Sequence, residues 1–193
     1  MPELVLSTRN LHKAGEFAGL LPGWNVLPLP DDLILPAETG TTFAENALIK
    51  ARAAAEETGM AAIADDSGIA AAALDGAPGI YSARYAGEPT DDVANLDKLM
   101  REVARHDDAT VEYVCVIAYV EPGSGIEKTF EGRCKGVLIE EKRGEGGFGY
   151  DPAVVPDDYD DGRTMAELTP EEKDAISHRG RAARDLLQWL DSL

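Results

Sequence analysis

Five stretches of this 193-residue chain carry residue types that could do chemistry together. The most direct is Ala64-Asp65-Asp66-Ser67-Gly68, which follows a short apolar run. Adjacent carboxylates at the end of a buried strand point to opposite sides, so at most one joins the core-facing hydrogen bonds while the other faces a cleft. Carboxylate oxygens suit magnesium, which keeps several waters and takes one or two carboxylates together with phosphate. An acidic turn closed by Ser67-Gly68 would use the same residues without chemistry. The run Ser7-Thr8-Arg9-Asn10-Leu11-His12-Lys13 reads as a strand end opening a helix. Unpaired N–H groups and the positive end of the helix dipole favour phosphate there. Thr8 and Asn10 can supply hydrogen bonds, and Lys13 a charge one turn in. An ordinary capped helix accounts for the same run, and no Walker-type G-x-x-x-x-G-K-[ST] occurs in the chain.

Glu38 lies in a polar loop before a helix that Thr42 can cap, with Glu45 three residues later completing a capping box. That explains Glu45 and leaves Glu38 free to face a metal. Asn46 and Lys50, four apart, share a face of the same helix. In Gly144-Glu145-Gly146-Gly147-Phe148-Gly149-Tyr150-Asp151-Pro152, the glycines allow close backbone approach to a ligand, and Phe148 and Tyr150 are available to stack on a flat ring. A hairpin loop with buried aromatics is the structural alternative. Last, Lys173 and Ser177-His178-Arg179 stand near the start of the final helix, where they could hold phosphate and base.

These residues need a scaffold, and the hydrophobic pattern supplies one. Strands are expected at Glu3–Ser7, Trp24–Leu29, Ala61–Ala64, Val111–Val120, Lys128–Glu140 and Ala153–Val155. Helices are expected over Leu11–Leu21, Phe43–Thr58 and Asp92–Arg105, with a helical tail opened by Thr169-Pro170-Glu171-Glu172. Strands and helices interleave, which predicts an α/β domain around a mixed sheet. The length suits one domain spanning 1–193.

Composition narrows the function classes. The chain has 36 acidic and 18 basic residues, a formal net charge of −18. Such a surface repels nucleic acid and anionic membrane. A small anionic substrate would therefore need a local cluster of cations or a metal. No run approaches the roughly 20 apolar residues of a membrane span, and the N-terminus lacks the pattern of a secretory signal. Cys115 and Cys134 read as reduced thiols on core strands. The expectation is a soluble, cytoplasmic protein.

Taken in order, six segments resemble the inosine triphosphate pyrophosphatase family, the non-canonical purine NTP pyrophosphatases. They are STRNLHK at 7–13, ETGTTFAENALIKA at 38–51, ADDSG at 64–68, GAPGIYSARYAG at 76–87, GEGGFGYDP at 144–152 and MAELTPEEKDAISHRG at 165–180. The resemblance implies a two-lobed α/β fold, with a long central mixed sheet flanked by helices, an interlobe cleft and a homodimeric assembly. It implies hydrolysis of ITP, dITP and XTP to the monophosphate and pyrophosphate, with Mg2+ as cofactor. By the same resemblance Thr8, Arg9, Asn10, Leu11, His12 and Lys13 would bind the triphosphate. Glu38 and Asp66 would hold the metal, Asp66 would also be catalytic, and Ser67 would contact substrate. Lys50 matches a further family lysine. Phe148, Gly149, Tyr150, Asp151, Lys173, His178 and Arg179 would complete the nucleotide pocket. Backbone N–H groups or the donors of His178 and Arg179 would pair with a purine 6-carbonyl there and face the 6-amino group of adenine donor to donor. Arg9 is a departure, since the family often has glycine there in a T-G-N motif. A pyrophosphatase of the related Maf-like group, a non-catalytic nucleotide sensor and an acidic interaction module are the rival readings; a nucleotide panel separates them.

Overall fold

Strand β1 (Glu3–Leu6) is buried at Leu4, Val5 and Leu6, the mark of a parallel strand covered on both faces. In the computed structural model, which describes residues 1–192, β1 lies between β2 (Asn25–Pro28) and β3 (Ala62–Ala71) and is parallel to both. The other strands are β4 (Thr110–Glu121), β5 (Ile126–Leu138) and β6 (Val154–Pro156). Among the described residues the six strands form one sheet in the order β2-β1-β3-β4-β5-β6. Because β5 and β6 are antiparallel, the sheet is mixed, as expected.

The helices that flank it are α1 (Leu11–Leu20), α2 (Phe43–Thr58), α3 (Asp92–Val103), α4 (Pro170–Ile176) and α5 (His178–Leu190). Their starts follow local chemistry. Asn10 caps α1 by accepting from the N–H groups of His12 and Lys13, and Thr42 with Glu45 closes a capping box on α2. Caps of this kind each contribute about 1 kcal/mol. Gly59, at φ 65°, ends α2 in the left-handed conformation that glycine tolerates best. The helical tail is interrupted at Ser177, whose extended ψ of 154° separates α4 from α5.

The chain sorts into two compact units. One comprises Met1–Asp66, Cys115–Gly132 and the residues from Arg179 onward; the other comprises Ser67–Val114 and Arg133–His178. In the first unit the period of two along the strands divides the core in half. Leu4, Leu6, Ile63, Cys115 and Ile117 join Phe17 of α1 and Leu186 of α5. Val5, Ala62, Ala64, Val116 and Ala118 join the small face of α2, made of Ala47, Ala51, Ala54 and Ala55. The second unit has its own core of Ile69, Leu96, Leu99, Val111, Tyr113, Leu138 and Met165, among others.

Strand β3 is longer than the sequence suggests. It does not stop at Ala64 but continues through the acidic pair to Ala71. Both aspartates are buried and ion-paired, so the alternation passes through them and resumes at Ile69 and Ala71. Among the described residues no helix is long and apolar enough to cross a membrane. Cys115 and Cys134 are buried free thiols; burial, followed by the nearby Asp65, pushes Cys115 up to about 12.

Candidate active site

Alternation along β3 decides what each aspartate meets. Asp65 shares the side of Ile63, toward α1 and α5, and Asp66 shares the side of Ala62 and Ala64, toward α2. The two carboxylates consequently have different partners and different charge environments.

Asp65 is fully covered. Its Oδ2 lies 2.9 Å from Lys13 Nζ and 3.0 Å from Arg179 Nη2. The other arm of the Arg179 guanidinium pairs with Glu16, one turn beyond Lys13 on α1. Burial alone would raise the Asp65 carboxyl, but the charges of Lys13, Arg179 and Lys50 overcome it and hold it well below the carboxylate range. An aspartate so firmly ionised is a poor proton acceptor. Its chemistry is to hold two cations in place.

Asp66 is buried but less so, at 7% exposure against 1% for Asp65. Its Oδ1 is 3.4 Å from Lys50 Nζ, and its Oδ2 accepts from Asn46 Nδ2 at 3.2 Å. Lys50 makes a shorter bond, 2.6 Å, to Glu38 Oε1. Burial raises the Asp66 carboxyl; Lys50 opposes this, Glu38 adds to it, and the net result lies above the ordinary value. Lys50 responds in the other direction: burial would lower it, but Asp66, Asp65 and Glu38 outweigh burial and keep it charged. The cost of burying this cluster thus falls on Asp66, the carboxylate best suited to taking a proton.

The loop that presents Glu38 is tied to Asp66 through Asn46. That amide donates to Asp66 and accepts from the Gly40 N–H at 2.8 Å. Gly40 has no room for a side chain, because a Cβ would stand 2.6 Å from Glu45 Cβ and 2.7 Å from Asn46 Oδ1.

The donor set bears on a metal. Glu38 and Asp66 already converge on one cation, the Lys50 ammonium, through hard oxygens. Around Asp65 and Asp66, Lys13, Lys50 and Arg179 face four carboxylates, those of Glu16, Glu38, Asp65 and Asp66, leaving a net negative charge. Among the described residues no group of three or more His, Cys, Asp or Glu side chains could form an all-protein cage. Two carboxylates without a cage are what Mg2+ uses when phosphate and water complete its shell.

The second unit holds a separate cluster around Asp151, which is 3% exposed. Asp151 Oδ1 accepts from the Tyr113 hydroxyl at 2.9 Å. Its Oδ2 accepts from Lys173 Nζ at 2.8 Å and from the Phe148 N–H at 2.9 Å. The Lys173 ammonium sits 5.1 Å from the centre of the Phe148 ring, and His178 stacks on Tyr113. Tyr150 is turned inward, its hydroxyl donating to the Ser82 carbonyl at 2.7 Å, so only Phe148 of the two aromatics remains half-buried.

The other sequence candidates divide. Thr8 and Asn10 serve the helix start: Thr8 Oγ1 accepts from the Asn10 N–H, and Asn10 caps α1. The Leu11 side chain is 85% exposed, and His12 is also exposed. Ser67 is half-buried on β3, and Gly149 turns the glycine-rich loop at φ 63°. Arg9 reaches sideways. Its guanidinium donates to the carbonyls of Leu29 at 3.1 Å and Leu33 at 2.7 Å, and also to those of Pro30 and Asp31, bracing the loop after β2. Sequence reasoning overlooked Glu16 and Tyr113. Glu16 could have been found from its position three residues after Lys13 on one helix face. Tyr113 reads as any core aromatic of a buried strand.

The chain belongs to the Ham1 family, whose model matches residues 4–189. It is 43% identical over its whole length to the whole of a dITP/XTP pyrophosphatase of Oceanobacillus iheyensis. It is 48% identical to a dITP/XTP pyrophosphatase of Desulforamulus reducens, across 99% of this chain and 96% of that one. Among solved structures, a HAM1 protein from Coxiella burnetii matches with a TM-score of 0.90 at 40% identity, covering 100% of both chains. The Staphylococcus aureus Ham1 protein matches with a TM-score of 0.87 at 40% identity, covering 98% of each chain.

Proposed function

We propose that this chain hydrolyses non-canonical purine nucleoside triphosphates, ITP, dITP and XTP, to the monophosphate and pyrophosphate. The observation that carries the reading is the unequal pair on β3: Asp65 enclosed between the Lys13 and Arg179 cations, and Asp66 converging with Glu38 on Lys50. The full-length kinship with dITP/XTP pyrophosphatases supports it.

In this reading Glu38 and Asp66 hold Mg2+. When bound, the ion supplies Lewis acidity toward phosphate oxygens and a lowered pKa for its water. Asp66 accepts the proton of the attacking water or orients that water at the α-phosphorus. Lys13, kept in place by Asp65, Lys50 and Lys173 offset charge on the triphosphate and on the departing pyrophosphate. Phe148 stacks on the purine. With the Arg179 guanidinium taken up by Asp65 and Glu16, reading of the 6-carbonyl falls to His178 and to backbone N–H groups. ATP presents an amino donor at that position, and a buried donor facing it goes unpaired, a penalty that can discriminate by roughly 10²-fold or more. The resemblance also supports a homodimer working in the cytoplasm as one domain over 1–193.

The test is product analysis on ITP, dITP, XTP, GTP and ATP, with Mg2+ and with excess chelator. Pyrophosphate and monophosphate from ITP and XTP, lost on chelation, are expected. Orthophosphate and the nucleoside diphosphate as products, or equal turnover of ATP, would overturn the reading.

A further inference from the structure

Tyr113 touches both ends of the second cluster. Its hydroxyl donates to one oxygen of Asp151 at 2.9 Å, while the other oxygen of that carboxylate holds Lys173 and the Phe148 N–H. Its ring lies parallel to the His178 imidazole, with centroids 4.8 Å apart and planes 12° from parallel. The terminal torsions of aspartate and histidine are broad and roughly two-fold, so the groups around Asp151 and His178, Tyr113 among them, set their planes. Tyr113 itself has little freedom. It is 5% exposed within β4, between the core residues Val111 and Cys115. Burial, followed by the Asp151 charge, raises its phenol well above the ordinary value, so it remains a donor.

We propose that Tyr113 is a positioning residue for substrate binding, with its two contacts serving separate tasks. The hydroxyl sets the Asp151 carboxylate and through it Lys173 and the Phe148 loop, which governs how tightly a nucleotide binds. The ring sets the plane of His178, which governs the choice of base. The inference rests on the function proposed above and adds to it a residue that touches no substrate atom.

Tyr113→Phe and Tyr113→Leu separate the two tasks. KM and kcat for ITP and ATP would be measured with Mg2+, together with thermal unfolding of each variant. Tyr113→Phe keeps the ring and loses the donor. Its KM for ITP should rise about tenfold, the scale of one hydrogen bond to a charged group, with little change in kcat or in the ITP-to-ATP ratio. Tyr113→Leu loses the ring as well, and its ITP-to-ATP ratio of kcat/KM should fall about tenfold. If Tyr113→Leu does not fold, the KM-against-kcat split in Tyr113→Phe still decides. Wild-type KM in a folded Tyr113→Phe would overturn the proposal, as would kcat falling equally on both nucleotides in each variant. A wild type inactive on ITP would overturn the proposed function itself, whereas an active wild type with unaffected variants overturns this inference alone.

Discussion

Gly147→Ala isolates the contribution of the Asp151 cluster. Gly147 has φ +66°, and a Cβ there would lie 2.1 Å from Asp151 Oδ2, 2.9 Å from its Cγ and 3.1 Å from its Cβ. The left-handed conformation costs a non-glycine residue roughly 1–2 kcal/mol. The clash costs more, because the carboxylate must retreat about 1.3 Å to reach ordinary contact at 3.4 Å. It cannot do so and keep both the 2.8 Å bond to Lys173 and the 2.9 Å bond to the Phe148 N–H. Losing one bond to a charged group costs about 1.5–3 kcal/mol. Together these predict a loss of roughly 2.5–5 kcal/mol in unfolding free energy. They also predict about 100-fold lower kcat/KM on ITP, the scale of an ångström-sized misplacement near bound substrate. Gly149→Ala is the comparison: its φ is +63°, but no heavy atom lies within 4 Å of the added Cβ, so it carries the backbone cost alone. Urea unfolding and pyrophosphate release would be measured for both. Equal unfolding free energies, or kcat/KM for Gly147→Ala within about twofold of wild type, the order of a few tenths of a kcal/mol, would refute the reasoning.

Lys13→Ala should raise KM for ITP far more than Lys142→Ala, since Lys13 stands on buried Asp65 and Lys142 makes only an exposed pair with Asp97; equal small effects would reduce the first cluster to a capped helix. Because Asp66 must be ionised to act and burial raises it above its ordinary value, activity should fall on acidification at a higher pH than an ordinary aspartate would set. Lys50 lowers Asp66, so Lys50→Gln should move that acid limb higher still, and an unmoved limb in pH–rate profiles would contradict the assignment. Arg179→Ala leaves buried Asp65 one cation short, and should cost activity on ITP, XTP and ATP alike together with stability. A selective change in the ITP-to-ATP ratio would return Arg179 to base reading.

Much of this architecture follows from local rules. Asn10, Thr42 and Gly59 mark helix ends by side-chain capping and by left-handed geometry, which act over a few residues. The divergence of Asp65 and Asp66 was also legible, because period two is a property of any strand. Their partners were not. Arg179 is 114 residues from Asp65 and 163 from Glu16, and nothing local distinguishes its buried guanidinium from a solvated one. The length of β3 escaped for the same reason: aspartate is depleted in strands, and cations from α1, α2 and α5 are what allow two of them in mid-strand. Nothing local separates Tyr150 from Phe148 as a stacking residue, because the Ser82 carbonyl that holds Tyr150 inward is 68 residues away in sequence.

The central claim is that Asp66 does the chemistry while Asp65 holds cations, and Asp66→Asn tests it most directly. The substitution keeps shape and leaves Lys50 its 2.6 Å partner Glu38, so the fold should persist. Pyrophosphate release from ITP with saturating Mg2+ should drop by about two orders of magnitude or more in protein that unfolds as cooperatively as wild type. Activity within a few-fold of wild type in such a folded variant would contradict the account.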